Sequence, residues 1–138
     1  MGRGFGGANG QYLGSKTILA GAPGTGKTPI ALSLGAVITR GGKGALYAVR
    51  SATPGLVTTV SARPVEVIDT VGAGDSFMAG LVSGLLDAGY LGSLAARERL
   101  AAAGIDDVRP SIDRALATSS ATVARAGAYA PTRSELGA

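Results

Sequence analysis

The second half of the chain has the apolar spacing of helices. The first predicted helix follows a turn at 72–74, and its apolar positions are Phe77, Leu81, Leu85 and Ala88. Gly89 follows as a helix end. A second helix is predicted over 91–104 with Ser93 as its cap, and a third over 107–127, ending at Gly127. One face of the third helix carries Ile112, Ala115, Leu116, Ser119, Val123 and Ala126. Gly80 and Gly84 lie four apart, which predicts close contact of the first helix with a neighbour.

The first half has a different pattern, in which short apolar and β-branched runs predict strands. These runs are 16–22, 35–39, 45–49, 56–61 and 63–69. A turn is expected at 40–44, a break at 53–55 and a brief helix at 25–34. Strands come first and helices last, so the predicted class is α/β, with short strands followed by a layer of three helices. Residues 1–14 are read as a flexible glycine-rich lead-in and 15–138 as a single α/β domain.

The amino-acid composition excludes several kinds of functional site. The 138 residues include no cysteine and no histidine, so thiolate metal sites and histidine-dependent triads are excluded. The net charge of +4 comes from basic residues scattered singly, which is not the clustered pattern of a nucleic-acid-binding surface. No apolar run is long enough to span a bilayer and the N-terminus has no signal-peptide core, so we expect a cytoplasmic protein without membrane or nucleic-acid partners.

The segment "DTVGAGDSF" at 69–77 carries the clearest chemistry. The N–H groups of Gly72, Ala73 and Gly74 can converge on an anion, and the positive end of the following helix reinforces them. Asp75 would repel an anion that is merely stored there. The carboxylate is useful if it takes a proton from a hydroxyl while the amides stabilise a transferring phosphoryl group. The alternative is that Asp75 only caps the helix.

Three segments together resemble the C-terminal part of the ribokinase/PfkB carbohydrate kinases, over about residues 32–136. They are "DTVGAGDSFMAGL", "VITRGGKGALY" and "ATSSATVARAGAYAPT". The resemblance implies a ribokinase-like C-terminal half. It also implies that Asp75 is the catalytic base, that Gly72, Ala73 and Gly74 form the anion hole, and that the last helix and its following loop edge the adenine pocket.

The same resemblance implies further ligand contacts. Thr39, Gly41 and Gly44 match a T-x-G-x-x-G pattern near the ATP phosphates. Family members often have a monovalent-cation site, and the matching positions include Asp69 and Gly127. The implied cofactors are therefore ATP, Mg²⁺ and, at that site, K⁺. The implied substrates are a sugar and ATP, and a homodimer is compatible with this interpretation.

A second loop, "GAPGTGKT" at 21–28, satisfies the P-loop pattern with Gly21, Gly26, Lys27 and Thr28. It is similar to the Walker A segment of AAA-type ATPases. A P-loop enzyme also needs an acid at the end of another strand, and Asp69 is the only residue that fits. The ribokinase family does not use such a lysine, so the interpretation adopted here is that residues 1–30 replace the family's own N-terminal part.

Three functions remain open from the sequence. The first is ATP-dependent phosphorylation of a sugar hydroxyl, incomplete if the N-terminal sugar-binding part is missing. The second is a non-catalytic ATP-binding fragment or chimera. The third is a P-loop NTPase that uses Lys27 and Thr28.

Overall fold

A computed structural model describes residues 19–20, 35–50 and 56–137. The predicted lead-in 1–14, helix 25–34, P-loop 21–28 and break 53–55 lie outside the described residues. The described strands are β1 (Leu19–Ala20), β2 (Gly35–Thr39), β3 (Ala45–Val49) and β4 (Thr58–Val60). The helices are α1 (Ala73–Asp87), α2 (Leu94–Ala102) and α3 (Ile105–Val123), with short 3₁₀ turns at Gly41–Lys43 and Ser134–Leu136.

The four strands form one sheet in the order β1-β2-β3-β4. β1 is parallel to β2, whereas β2–β3 and β3–β4 are antiparallel. Side chains alternate along β2 and β3, so that Val37, Tyr47 and Val49 point into the core. The Tyr47 hydroxyl donates to the Ile105 carbonyl at 3.0 Å, which ties the sheet to the start of α3.

The helical layer confirms the predicted close contact between helices. A Cβ added at Gly80 would lie 2.8 Å from Cα of Ala115, and one at Gly84 would lie 2.8 Å from Cα of Ser111. The backbones of α1 and α3 therefore approach each other where neither glycine has a side chain. Leu81, Leu85 and Ile112 are fully buried beside this contact.

Helix boundaries agree with the sequence at some ends and differ at others. Ser93 caps α2, with its Oγ accepting from the Ala96 N–H at 3.0 Å, as predicted. α3 begins at Ile105, two residues earlier than predicted, because the Asp107 carboxylate accepts the Gly104 N–H at 2.9 Å and supports the earlier start. It ends at Val123 rather than Gly127, and Ala126 is exposed instead of lying on the buried face.

The predicted strand at 63–69 is wrong. The segment is not a strand, and Val67 and Ile68 are 56% and 62% exposed. No described strand pairs with it, and Pro64 has no N–H for a ladder. The Ile68 and Asp69 N–H groups instead donate to the Val123 carbonyl at 2.7 and 3.2 Å. Strand propensity alone does not make a strand without a partner.

No helix within the described ranges combines the length and the apolar character that a membrane crossing requires.

Candidate functional site

The loop that precedes α1 has a conformation that depends on glycine. Gly72 is the N-cap of α1 with φ +78°, in the left-handed region. A Cβ at this position would lie 2.9 Å from the Ala128 Cβ, so the loop after α3 packs directly on it. The Ser76 N–H donates to the Gly72 carbonyl at 2.9 Å and closes the first helical turn.

This turn presents backbone donors. The N–H groups of Ala73, Gly74 and Asp75 have no acceptor within α1, because they belong to its first turn. The Ala73 N–H donates back to the Thr70 carbonyl at 3.2 Å, so this amide of the predicted anion hole is engaged. The helix dipole adds positive potential at the same place. An anion placed here would meet backbone donors and a favourable field.

Asp75 is exposed in that first turn and is not the cap. The cap position belongs to Gly72, which makes no side-chain capping bond. The alternative that Asp75 merely caps the helix therefore has no support in the geometry. Its role as a base stays a prediction.

A cavity of about 450 Å³ lies between this turn and the β2–β3 turn. Five of the predicted site residues line it, namely Thr39, Gly41, Gly44, Ala73 and Gly74. Gly72 and Asp75 do not line it, although both belong to the same turn as Gly74. Arg63 is its one charged lining residue among the described ones, and no acidic side chain lines it there. An anionic ligand therefore fits the charge of this cavity.

The sequence interpretation missed much of the cavity wall. Phe77, Leu116 and Val123 supply apolar surface from α1 and α3, while Thr70, Ser119 and Ser120 supply hydroxyls. Phe77, Leu116, Ser119 and Val123 were placed on core-facing stripes, which is correct for most of each helix. Their position along the helices could have identified these residues as part of the cavity. They lie toward the start of α1 and the end of α3, where the glycine turn is.

Asp69 and Gly127, the two residues predicted to lie at a monovalent-cation site, are in contact with each other. The Gly127 N–H donates to Asp69 Oδ2 at 2.8 Å, and the Val71 N–H donates to Oδ1 at 3.0 Å. These two backbone donors, Val71 first, hold the pKa of Asp69 below its ordinary value. The Gly127 carbonyl accepts the Tyr129 N–H at 2.9 Å. The carboxylate is thus kept ionised and oriented, and each oxygen keeps a lone pair that a hard cation can use.

The side chains that could bind a divalent metal ion are few among the described residues. Within the residues that the structure describes, no three His, Cys, Asp or Glu side chains cluster as a metal site. Mg²⁺ is commonly held by one or two carboxylates together with substrate phosphates. The described residues therefore offer no cage of protein carboxylates for such an ion. The P-loop residues Gly21, Gly26, Lys27 and Thr28 lie outside the described residues.

The known proteins that this chain resembles include fructokinases and a ribokinase. A fructokinase of Klebsiella pneumoniae is 45% identical over 60 residues, which is 44% of this chain and 18% of that protein. A double-mutant fructokinase from Vibrio cholerae O395, solved with fructose, ADP and potassium ion, has 27% identity and a TM-score of 0.55, over 73% of this chain and 28% of that one. Ribokinase from Giardia lamblia has 24% identity and a TM-score of 0.62, over 74% of this chain and 30% of that one.

The last likeness shows the fold, and the α/β, ribokinase-like prediction is confirmed. The chain spans less than a third of the length of each of these relatives. Residues 32–135 match the family described as "pfkB family carbohydrate kinase". This range is most of the chain and is close to the range expected from the motifs. The chain belongs to the pfkB family of carbohydrate kinases.

Proposed function

We propose that this chain provides the nucleotide side of a carbohydrate kinase and transfers the γ-phosphoryl group of ATP to a sugar hydroxyl where an acceptor site completes it. The observation that carries this proposal is the cavity shared by the two glycine turns. Thr39, Gly41 and Gly44 line one side of it, and Ala73 and Gly74 line the other. Asp75 follows directly in the chain.

In this proposal each group has one task. The sugar oxygen attacks the γ-phosphorus, the bond to the ADP oxygen breaks, and the hydroxyl proton goes to the Asp75 carboxylate. The first-turn amides stabilise the charge on the transferring group because their dipoles are already aligned. Bound Mg²⁺ would neutralise phosphate charge. The fructokinase from Vibrio cholerae contains fructose, ADP and potassium, which supports a sugar, a nucleotide and K⁺ as ligands. We place K⁺ near Asp69 and Gly127 because the Asp69 carboxylate is held there by backbone N–H groups.

Titration with ATP–Mg²⁺, with and without a panel of sugars, tests the proposal by thermal shift. A ligand that binds the folded state at about 100 times its Kd adds about 2.7 kcal/mol to the stability. We expect ATP and ADP to raise the melting temperature, and AMP, which lacks the outer phosphates, to raise it less. No shift with ATP would contradict the proposal.

Measurement of ADP formation separates the alternatives. Sugar-dependent ADP formation supports the kinase. ATP binding without turnover favours the non-catalytic ATP-binding fragment or chimera, and sugar-independent hydrolysis favours the P-loop NTPase.

The variant Lys27→Ala distinguishes the two phosphate loops. In the proposed site ATP contacts the 72–75 turn, so we expect isothermal titration to give an unchanged affinity. A working P-loop would lose a charge-assisted contact of about 1.5–3 kcal/mol, which is roughly tenfold or more in Kd. Lys16→Ala, which changes the other lysine before residue 35, is the control for the loss of one positive charge. A tenfold loss confined to Lys27→Ala would overturn the assignment.

A further inference from the structure

Two hydroxyl contacts join α3 to the first turn of α1. The Ser119 hydroxyl donates to the Ala73 carbonyl at 3.0 Å, and Thr122 Oγ1 lies 2.7 Å from Ser76 Oγ. The partners are three residues apart on both helices, so the two contacts lie one above the other along the helix pair. They flank Gly74 and Asp75, the two residues between the contacted positions.

The Thr122 hydroxyl has more hydrogen-bonding partners within reach than its single proton can serve at once. It is fully buried, and its Oγ1 also lies 2.8 Å from the Tyr129 carbonyl and 3.1 Å from the Thr118 carbonyl. A hydroxyl has one proton and two lone pairs. Carbonyls can only accept, whereas Ser76 can donate or accept. The buried group therefore joins the turn of α1, its own helix and the loop after α3.

That loop returns to the site. Its Ala128 packs on Gly72, and its Gly127 N–H holds the Asp69 carboxylate. The glycine turn is thus fixed from Asp69 at its start to Ser76 at its end. The close backbone contact at Gly80 lets side chains as short as serine and threonine reach across.

We propose that Ser119 and Thr122 are positioning residues, which set the orientation of the 73–75 amides and of Asp75 through hydrogen bonds to Ala73 and Ser76. What the turn binds rests on the proposed function, but the positioning itself does not. Thr122 does not line the cavity, and Ser119, which does, directs its hydroxyl to the Ala73 carbonyl. The consequence is that the loss of the Thr122 hydroxyl changes the glycine turn selectively and the rest of the core little.

The same helix offers a matched control. Thr118 is also buried and lies one turn away, but its hydroxyl donates to the Arg114 carbonyl of its own helix at 2.8 Å. Thr118→Val and Thr122→Val remove the same hydroxyl and keep the same shape. Thr122→Ser retains the hydroxyl and removes a methyl group.

Amide hydrogen exchange of the full chain tests the proposal without need for activity. Loss of a hydrogen bond of ordinary strength should speed exchange at 72–77, where the Ala73 and Ser76 N–H groups are hydrogen-bonded, on the order of threefold to tenfold in Thr122→Val. We expect Thr122→Ser to restore slow exchange and Thr118→Val to leave 72–77 at the wild-type rate. Equal acceleration in the two valine variants, or no restoration by serine, would overturn the proposal.

Two further variants cover the case in which Thr122→Val does not fold. Ser76→Ala removes the same contact from its half-buried side, and Ser119→Ala removes the other contact. Each should speed exchange at 72–77, and wild-type rates in both would overturn the proposal. ATP–Mg²⁺ titration of the folded variants adds a functional readout. If the wild type binds no ATP, the proposed function fails, while the exchange rates still decide whether these residues position the turn.

Discussion

The two walls of the cavity differ in how firmly they are held. The helical wall belongs to the core, since Phe77 and Leu116 are only 4% and 8% exposed and α1 and α3 are in backbone contact. The opposite wall is the β2–β3 turn with residues 62–67, where Val67 is 56% exposed and Gly42 has no atom within 4 Å of an added Cβ. One wall is therefore fixed by helix packing, whereas the other is closely packed at Gly44, against the backbone of Val60 and Ala62, and open at Gly42 and Val67.

The helical wall should show the largest effect of substitution. Gly84→Leu places side-chain atoms where the backbone of Ser111 already lies, because even a Cβ would come within 2.8 Å of Ser111 Cα. Overpacking of this kind typically costs about 1–3 kcal/mol. Urea denaturation measures the loss, and Ala79→Leu on the exposed face of α1 is the control. A stability equal to that of the control would show that the two helices do not pack as described.

The C-terminal turn at Ser134–Leu136 contacts α3 and should make stability depend on pH. Glu135 accepts from the Thr132 N–H and hydroxyl at 2.8 and 2.9 Å and from the Tyr129 hydroxyl at 2.6 Å. These bonds, the Thr132 N–H first, lower the pKa of Glu135 from 4.5 to about 2. A lowered folded-state pKa stabilises the protein above the unfolded value, and that contribution is lost as the pH falls through the folded value.

Glu135→Gln should therefore flatten the stability profile between about pH 4.5 and 2. The wild type also loses the contributions of Asp69 and Asp87, whose pKa values are lowered as well, so the informative quantity is the difference between the two proteins. Asp87 is held first by the Arg114 guanidinium and then by that of Arg133. Glu98→Gln on exposed α2 is the control. Parallel profiles for wild type and Glu135→Gln would contradict this network.

The turn wall should show the smallest effect. Gly42→Ala adds a methyl group to open space, so the stability should change by no more than about 0.5 kcal/mol. Thermal unfolding measures it. A loss as large as that of Gly84→Leu would remove the contrast between the walls. An unchanged stability with weaker ATP binding would instead sharpen it, because Gly42 lines the cavity.

The fold was predictable where local signals and packing agree. The repeat of apolar positions gave α1, and the Ser93 side chain gave the start of α2. The segment 63–69 had a strand pattern but lacks a partner, and a partner is a property of the whole fold. The end of α3 was misplaced because Gly127 suits a helix end, whereas in the structure its N–H binds Asp69.

The candidate site was predictable as a motif and not as a cavity. Resemblance identified the two glycine turns, and the structure brings Thr39 and Gly44 into one cavity with Ala73 and Gly74. The hydroxyls of Ser119 and Thr122 had no distinguishing signal, since short polar residues are usual in closely packed helices, and Thr122 lies outside the predicted core-facing stripe. Their contacts depend on the backbone approach at Gly80.

The most direct test of the central claim is Asp75→Asn, measured for both ATP binding and sugar-dependent ADP formation. Asparagine keeps the size of the side chain but cannot accept the proton, so ADP formation should fall by about 10²–10⁴-fold. ATP affinity by isothermal titration should be retained or rise slightly, because a negative charge near the phosphates is removed. Unchanged turnover would contradict the role of base. Loss of ATP binding in a folded Asp75→Asn protein would show instead that the carboxylate organises the nucleotide site.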